Sequence, residues 1–151
     1  MIGPKYERPA KQTAKDERVA REVVGRRDGG VCVKCRRVHP IGGVSWDHRK
    51  NRSQGGLWLP SHGQLLCGTG TTGCHGWRTS RVEEAVAAGY AVPGWPRADP
   101  REWPARRWVN TPRGFVREAW VVYDDEGDWK EISEQDARER MFSMGWEGGD
   151  A

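Results

Sequence analysis

The stretch Cys67-Gly-Thr-Gly-Thr-Thr-Gly-Cys74-His75 decides how the middle of the chain folds, together with Cys32-Val-Lys-Cys35 upstream. Cys32 and Cys35 have the C-x2-C spacing with which two thiolates of one tight turn reach a single metal ion. Cys67 and Cys74 can supply the other two ligands of a tetrahedral Zn(Cys)4 site, the closed arrangement typical of structural zinc. Six residues separate the second pair, and three of them are glycines that allow a long loop to fold back on one ion. The spacing therefore predicts a structural Zn2+ on these four cysteines.

The composition favours one modest domain that a metal holds together. Hydrophobic residues make up 36% of the 151 residues and charged residues 30%, and nine tryptophans supply much of the apolar area. A chain with so few aliphatic residues gains stability from a metal crosslink. Two disulfides are the alternative use of four cysteines, but without a secretory signal pattern the metal is the better interpretation.

The charge of the chain is unevenly distributed. Residues 31–90 carry eight Lys or Arg against three Asp or Glu, whereas residues 91–151 carry nine against thirteen. Positive charge around the cysteines and histidines predicts a polyanionic partner such as DNA, although a solvated basic face is the alternative.

No secretory pattern opens the sequence, and no apolar run approaches the roughly 18–20 residues of a membrane span. We therefore expect a cytoplasmic protein without a membrane partner. The sequence leaves open whether the protein is a monomer or a homodimer.

The order of patterns along the chain predicts three parts. Residues 1–12 read as a flexible basic lead-in. Residues 13–92 form the core, which begins with a helix that Thr13 caps and that ends before Gly29-Gly30. Within the core, Val44 to Arg49 reads as a short strand, and a helix is expected from about Cys74 to Ala88.

Residues 93–151 hold a Pro- and Trp-rich linker, a β-hairpin and a last helix, packed on the core or appended to it. Trp108-Val109 and Phe115–Tyr123 are strand-like, and Trp129–Ile132 completes a hairpin with Phe115–Tyr123. Ser133 caps the last helix, which Gly145 stops. The acidic residues 124–128 do not have the ligand spacing of a calcium loop and are interpreted as a solvated hairpin tip.

Asp47, His48 and His75 are the candidates for chemistry. Neighbouring side chains on a strand point to opposite faces, but at a strand end both can approach one site. A carboxylate is a hard oxygen ligand for Mg2+, and an imidazole beside it can take a proton from water. A histidine at the start of a helix can complete the metal site, which gives the parts that phosphodiester hydrolysis needs. In the alternative interpretation, the histidines are zinc ligands or ordinary loop residues. His39, beside Pro40, is interpreted as a loop residue.

These residues resemble an HNH endonuclease of the zinc-containing ββα-metal group, and most closely the small HNH endonucleases of actinobacterial phages. The resemblance rests on motifs in a fixed order over roughly residues 15 to 95: Cys32-x2-Cys35, Asp47-His48-Arg49, Gly55-Gly56, Leu65-Leu66-Cys67 and Gly-Thr-Thr-Gly-Cys74-His75-Gly-Trp77. It implies an α+β protein with a small, treble-clef-like ββα-metal core, to which the N-terminal helix and the C-terminal hairpin and helix are added.

The resemblance assigns roles by position. Asp47 matches the metal ligand that precedes the general base, and His48 matches the base itself. His75 matches the last histidine of the motif, which binds the catalytic divalent ion, Mg2+, Mn2+ or a similar metal. The family's central asparagine pins the loop by hydrogen bonds, and its position is occupied here by His62. A histidine can also make such bonds, and joining the metal site is its alternative; Asn51 lies too near His48 to be a good substitute.

The basic residues around these positions are candidates for phosphate contacts: Arg49, Lys50, Arg52, Arg78 and Arg81. Arg78 is the best of them, because it follows His75 by three residues on a predicted helix and faces the same side. Each can equally be buried or merely solvated. The resemblance implies DNA as the substrate and a phage terminase as a partner in DNA packaging. The rival class is a non-catalytic zinc module that binds nucleic acid or protein.

Overall fold

The computed structural model describes residues 11–37, 40 and 42–148, and within them the chain is a small α+β protein with two antiparallel sheets. Its helices are α1 (Ala14–Asp28), α2 (Gly73–Ser80), α3 (Val82–Ala87) and α4 (Glu134–Ser143). Its strands are β1 (Val44–His48), β2 (Gly63–Cys67), β3 (Ala105–Asn110), β4 (Val116–Tyr123) and β5 (Trp129–Ile132). His39 and most of the predicted lead-in lie outside the described residues.

Helix α1 begins and ends where the sequence predicts. The Thr13 hydroxyl accepts the backbone N–H of Asp16, and the Asp16 carboxylate accepts the N–H of Thr13, which forms a capping box. Gly29 ends the helix at φ 65°, a left-handed conformation that glycine adopts without a steric penalty. Ala20 and Val24 are buried on its inner face.

Strands β1 and β2 pair antiparallel and bring the middle of the chain together. Asp47 lies opposite Gln64, and His48 lies opposite Gly63. Gly63 has no room for a side chain, because a Cβ there would overlap the Trp46 ring that lies across it. The register therefore fixes which residues flank Asp47 and His48.

The single helix predicted from Cys74 to Ala88 is wrong in one respect, because it is broken at Arg81. Arg81 has φ −120° and ψ 55°, so α2 ends at Ser80 and α3 starts at Val82. The Thr79 and Ser80 hydroxyls donate to the carbonyls of His75 and Trp77. Such bonds from side chains to the preceding turn bend or end helices, which explains the break.

The C-terminal part forms a three-stranded sheet in the order β3-β4-β5, in which β4 and β5 are the predicted hairpin and β3 contains the strand-like Trp108-Val109. Ser133 caps α4 by accepting the N–H of Asp136, as predicted, and Ala137 and Met141 are the buried residues of this helix. The acidic tip is not purely solvated, since the Asp125 carboxylate accepts hydrogen bonds from the N–H and the hydroxyl of Ser61.

Residues after 93 pack on the core rather than extend from it. Trp103 is fully buried in one apolar cluster with Cys32, Leu66 and Val86. The Arg107 guanidinium is 2.9 Å from the carboxylate of Asp28, which also accepts the N–H of Leu65 on β2. Among the described residues, no helix combines the length and apolar character needed to cross a membrane.

Candidate metal centre and adjoining cleft

The four cysteines converge at one end of the β1–β2 sheet. Their sulfur atoms all lie within 4.8 Å of one another, and Cys32 and Cys67 are buried. None of the four forms a disulfide. Four thiols gathered in this way can hold a metal ion such as zinc, which is the site that the spacing predicts.

The chemistry of the cysteine cluster fits a cation. Burial, a hydrogen bond with Cys67 and the neighbouring sulfurs raise the pKa of Cys74. Thiolates this close repel one another unless a cation lies among them. Two backbone N–H groups already point at sulfur: Cys35 N is 3.5 Å from Cys32 Sγ, and Cys74 N is 3.3 Å from Cys67 Sγ. These donors stabilise negative charge on the sulfurs.

An open cleft of about 410 Å³ lies beside the cysteine cluster, at the end of β1. Its lining combines acidic, basic, histidine and tryptophan side chains: Arg21, Trp46, Asp47, His48, Asn51, Arg52, Trp58, His75, Arg78 and Thr79. The cleft thus brings together Asp47 and His48, which are neighbours in the sequence, and His75, which lies far from them along the chain.

Asp47 is a buried carboxylate with one oxygen engaged and one facing His75. Its Oδ2 accepts the Gln64 amide at 2.8 Å and lies 3.3 Å from Arg78 Nε, whereas its Oδ1 is 3.4 Å from His75 Nε2. Burial raises the pKa of Asp47, although Arg78, the Gln64 hydrogen bond and His75 act in the opposite direction. A buried carboxylate that is incompletely compensated favours a further cation at Oδ1.

Asp47 Oδ1 and His75 Nε2 are close enough to each other to be ligands of one ion. Two ligand atoms each about 2.1 Å from the same ion lie at most about 4.2 Å apart. The observed 3.4 Å falls within that limit. One carboxylate and one imidazole suit several divalent metals, Mg2+ and Mn2+ among them.

His48 lies on the opposite face of β1 from Asp47 but lines the same cleft. Its Nδ1 accepts the indole N–H of Trp46 at 3.1 Å, and its ring stands 4.4 Å from the Trp58 ring, centroid to centroid. Burial, followed by the charge of Arg52, lowers the pKa of His48 to about 4. The imidazole is therefore uncharged at neutral pH, with its hydrogen on Nε2 and its lone pair on Nδ1.

His62 pins the loop between β1 and β2. It is 6% exposed, and its Nδ1 accepts the backbone N–H of Leu57 at 3.0 Å. Its own carbonyl accepts the N–H of Arg49 at 2.7 Å, which continues the pairing beyond β1. His62 does not line the cleft that holds Asp47 and His75. These contacts fit the loop-pinning role, and they do not bring His62 to Asp47 and His75, as the alternative requires.

Arg49 and Lys50 are buried, which does not fit their predicted contact with phosphate. The Arg49 guanidinium is fully buried and donates to the carbonyls of Ser61, Pro100 and Trp103. The Lys50 ammonium donates to two carbonyls of the segment that follows α3, those of residues 95 and 98. Both side chains join the loop after β1 to the C-terminal part.

The other three basic candidates differ in position. Arg52 is exposed at the cleft, and Arg81 is exposed beyond it and pairs with Glu84. Arg78 lies on the same side of α2 as His75, as its spacing predicts, but it is 3% exposed. Its guanidinium contacts Asp47 and donates to Asn51 Oδ1 and to the Arg49 carbonyl, so it holds the site together.

Two residues of the site, Gln64 and Ser45, were missed by reasoning from the sequence. Gln64 fixes Asp47 through the strand register, which a single sequence does not reveal. Ser45 contacts His75, and its place two residues before Asp47 puts both on one face of β1. The alternation of side chains along a strand is the sequence feature that could have pointed to Ser45. The same alternation places Trp46 and His48 on the other face of β1.

Comparisons with known proteins add no identification. No protein-family model, no curated protein and no solved structure matches the chain.

Proposed function

We propose that this protein is a metal-dependent endonuclease of the HNH type that hydrolyses phosphodiester bonds in DNA. The observation that carries the proposal is the convergence of Asp47, His48 and His75 in one cleft, with Asp47 Oδ1 and His75 Nε2 3.4 Å apart. In this proposal the four cysteines hold a structural Zn2+ beside the cleft.

Asp47 and His75 would hold one divalent ion, Mg2+, Mn2+ or a similar metal. When bound, such an ion stabilises the negative charge that develops on the phosphate and on the leaving oxygen. The protein's part is to keep Asp47 Oδ2 occupied by Gln64 and Arg78, which leaves Oδ1 and the His75 nitrogen directed at the same space.

His48 is proposed to take a proton from the attacking water. The water oxygen bonds to phosphorus while the bond from phosphorus to the 3′ oxygen breaks, and the released 3′ oxygen takes a proton from solvent. The products are 5′-phosphate and 3′-hydroxyl ends. Since Nδ1 carries the lone pair of the uncharged ring, the water replaces the Trp46 indole as its hydrogen-bond partner in this step.

Two exposed arginines at the cleft, of which Arg21 also pairs with Glu17, support DNA as the substrate in this proposal. Arg21 and Arg52 line the cleft, and both guanidinium groups lie over the Trp58 ring, at 4.8 and 5.4 Å from its centroid. Phosphate contacts from such side chains position DNA without reading its sequence, and their strength falls steeply with salt. A role in phage DNA packaging beside a terminase rests on the resemblance alone.

The test is cleavage of supercoiled plasmid by the zinc-loaded protein. We expect nicking or cutting with Mg2+ or Mn2+, none with EDTA, and recovery when the divalent ion is added back. His48→Ala should abolish cleavage while DNA binding, measured by fluorescence anisotropy in EDTA, is kept. His39→Ala is the matched control, since no role is assigned to that histidine. Unchanged cleavage by His48→Ala would exclude His48 as the base.

A non-catalytic zinc module that binds nucleic acid or protein is the second candidate, and one observation favours it. The Nδ1 lone pair of His48 already has a partner in Trp46, and a pKa of about 4 makes the imidazole a weak base. The plasmid assay separates the two functions. DNA binding by the wild-type protein without cleavage under any divalent metal would support the module.

A further inference from the structure

Ser45 makes two hydrogen bonds at the edge of the cleft, although it does not line it. Its hydroxyl oxygen is 2.7 Å from the carbonyl oxygen of Gly68 and 2.8 Å from Nδ1 of His75. Alternation along β1 places Ser45 on the same face as Asp47, and the two side chains contact different ring nitrogens of His75, Ser45 at Nδ1 and Asp47 at Nε2.

The hydroxyl has one hydrogen, and its two partners decide where that hydrogen lies. A carbonyl oxygen only accepts, so a 2.7 Å contact with Gly68 requires the serine hydrogen to point at that oxygen. The serine oxygen is then free only to accept, and the 2.8 Å contact with His75 requires a hydrogen on Nδ1. This holds whether His75 is uncharged or protonated.

The consequence lies at the other ring nitrogen. An uncharged imidazole carries one hydrogen, so with Nδ1 protonated Nε2 has the lone pair. That nitrogen is 3.4 Å from Asp47 Oδ1. The serine therefore directs a nitrogen lone pair and a carboxylate oxygen at the same space.

Ser45 also joins the two ends of the loop between the second pair of cysteines. Gly68 follows Cys67 directly, and His75 follows Cys74 directly. One hydroxyl thus fixes His75 relative to the same loop that carries two of the metal-binding sulfurs.

We infer that Ser45 is a positioning residue that fixes His75 in the tautomer with its hydrogen on Nδ1 and so prepares Nε2 to bind a divalent ion. The part of this inference that concerns the ion rests on the proposed function; the part that concerns the tautomer stands on the hydrogen bonds alone. Hydrogen-bond partners behind a metal-binding histidine typically change metal affinity by about 10- to 100-fold.

The experiment compares the wild-type protein with Ser45→Ala and Ser45→Thr, all loaded with zinc and checked for equal zinc content. Long-range 1H–15N correlation spectra report which nitrogen carries the hydrogen in each of the four histidines. We expect the Nδ1–H form for His75 in the wild type and in Ser45→Thr, which keeps the hydroxyl. Ser45→Ala should show a substantial Nε2–H population. Ser53→Ala, in the exposed loop after β1, is the matched control and should leave His75 unchanged.

Mn2+ affinity, measured by calorimetry on the same proteins without DNA, is the second readout. Ser45→Ala should bind Mn2+ at least about tenfold more weakly than the wild type, and Ser45→Thr should recover most of the loss. An unchanged His75 tautomer in Ser45→Ala would overturn the inference, as would an unchanged Mn2+ affinity. A wild-type protein that binds no Mn2+ but shows the expected tautomers would refute the divalent-ion site and keep the orienting role of Ser45.

Discussion

Replacing His62 by asparagine should make the protein less sensitive to mild acid. His62 is buried, and its Nδ1 accepts the Leu57 N–H, a role that an asparagine oxygen can take over. Burial, followed by the charge of Arg49, lowers the pKa of His62 to about 4 from 6.5. The folded protein therefore resists protonation of a side chain that the unfolded chain protonates readily.

The sign and size follow from this pKa difference. Between the two pKa values the unfolded chain binds more protons, so the free energy of unfolding falls as the pH is lowered from about 6.5 to about 4 and stays level below. Between pH 7 and pH 5 the expected loss from His62 is about 2 kcal/mol. The asparagine in the variant does not titrate, so the variant should lack this part of the loss.

The assay is urea unfolding of the zinc-loaded wild-type protein and His62→Asn at pH 7, 6 and 5. Loss of zinc from the cysteines at low pH affects both proteins, so the difference between them isolates His62. We expect the difference in unfolding free energy to shift by about 2 kcal/mol in favour of the variant between pH 7 and pH 5. A difference that does not change with pH would refute the placement of an uncharged His62 in the interior.

Three further changes test the fold around the site. Cys35→Ser should reduce bound zinc, measured by atomic emission, well below one ion per chain. It should also remove most of the folding stability, because structural zinc contributes about 10 kcal/mol or more. A variant that retains its zinc in full would contradict a metal site on the four cysteines. Gly63→Ala should destabilise the protein by about 1–3 kcal/mol, since the new Cβ would meet the Trp46 ring. Gly70→Ala is the control, because a Cβ at that position has no atom within 4 Å. Arg49→Met should lower the free energy of unfolding, measured in urea, by at least about 3 kcal/mol, because three buried carbonyls lose their hydrogen-bond donor. The exposed Arg52→Met is the control, and an equal loss of stability in the two variants would contradict the buried role of Arg49.

The parts of the structure that depend on local signals were predictable from the sequence. The Thr13 and Ser133 caps and the glycine at residue 29 set the ends of helices α1 and α4 where expected. The cysteine spacing predicted the cluster of four sulfurs, because a C-x2-C turn directs two sulfurs at one point and a glycine-rich loop can fold back to add two more.

The parts that depend on contacts between distant segments were not predictable. In the sequence Arg49 looks like an exposed basic residue beside the candidates Asp47 and His48, and only the packing of residues 100–103 on the core shows that it is buried. The contact of Gln64 with Asp47 depends on the register of β1 and β2, and the contact of Ser45 with His75 depends on the fold of the loop between Cys67 and Cys74. The break at Arg81 arises because the Thr79 and Ser80 hydroxyls donate hydrogen bonds to carbonyls of the preceding turn. The spacing of apolar residues, from which the helix was predicted, gives no information on such bonds.

The most direct test of the nuclease proposal is a crystal structure of His48→Ala with zinc, Mn2+ and a short DNA duplex. Anomalous scattering should show zinc among the four sulfurs and Mn2+ bound to Asp47 Oδ1, His75 Nε2 and a phosphate oxygen of uncleaved DNA. Mn2+ absent from the cleft, or DNA bound on another face of the protein, would contradict the proposal.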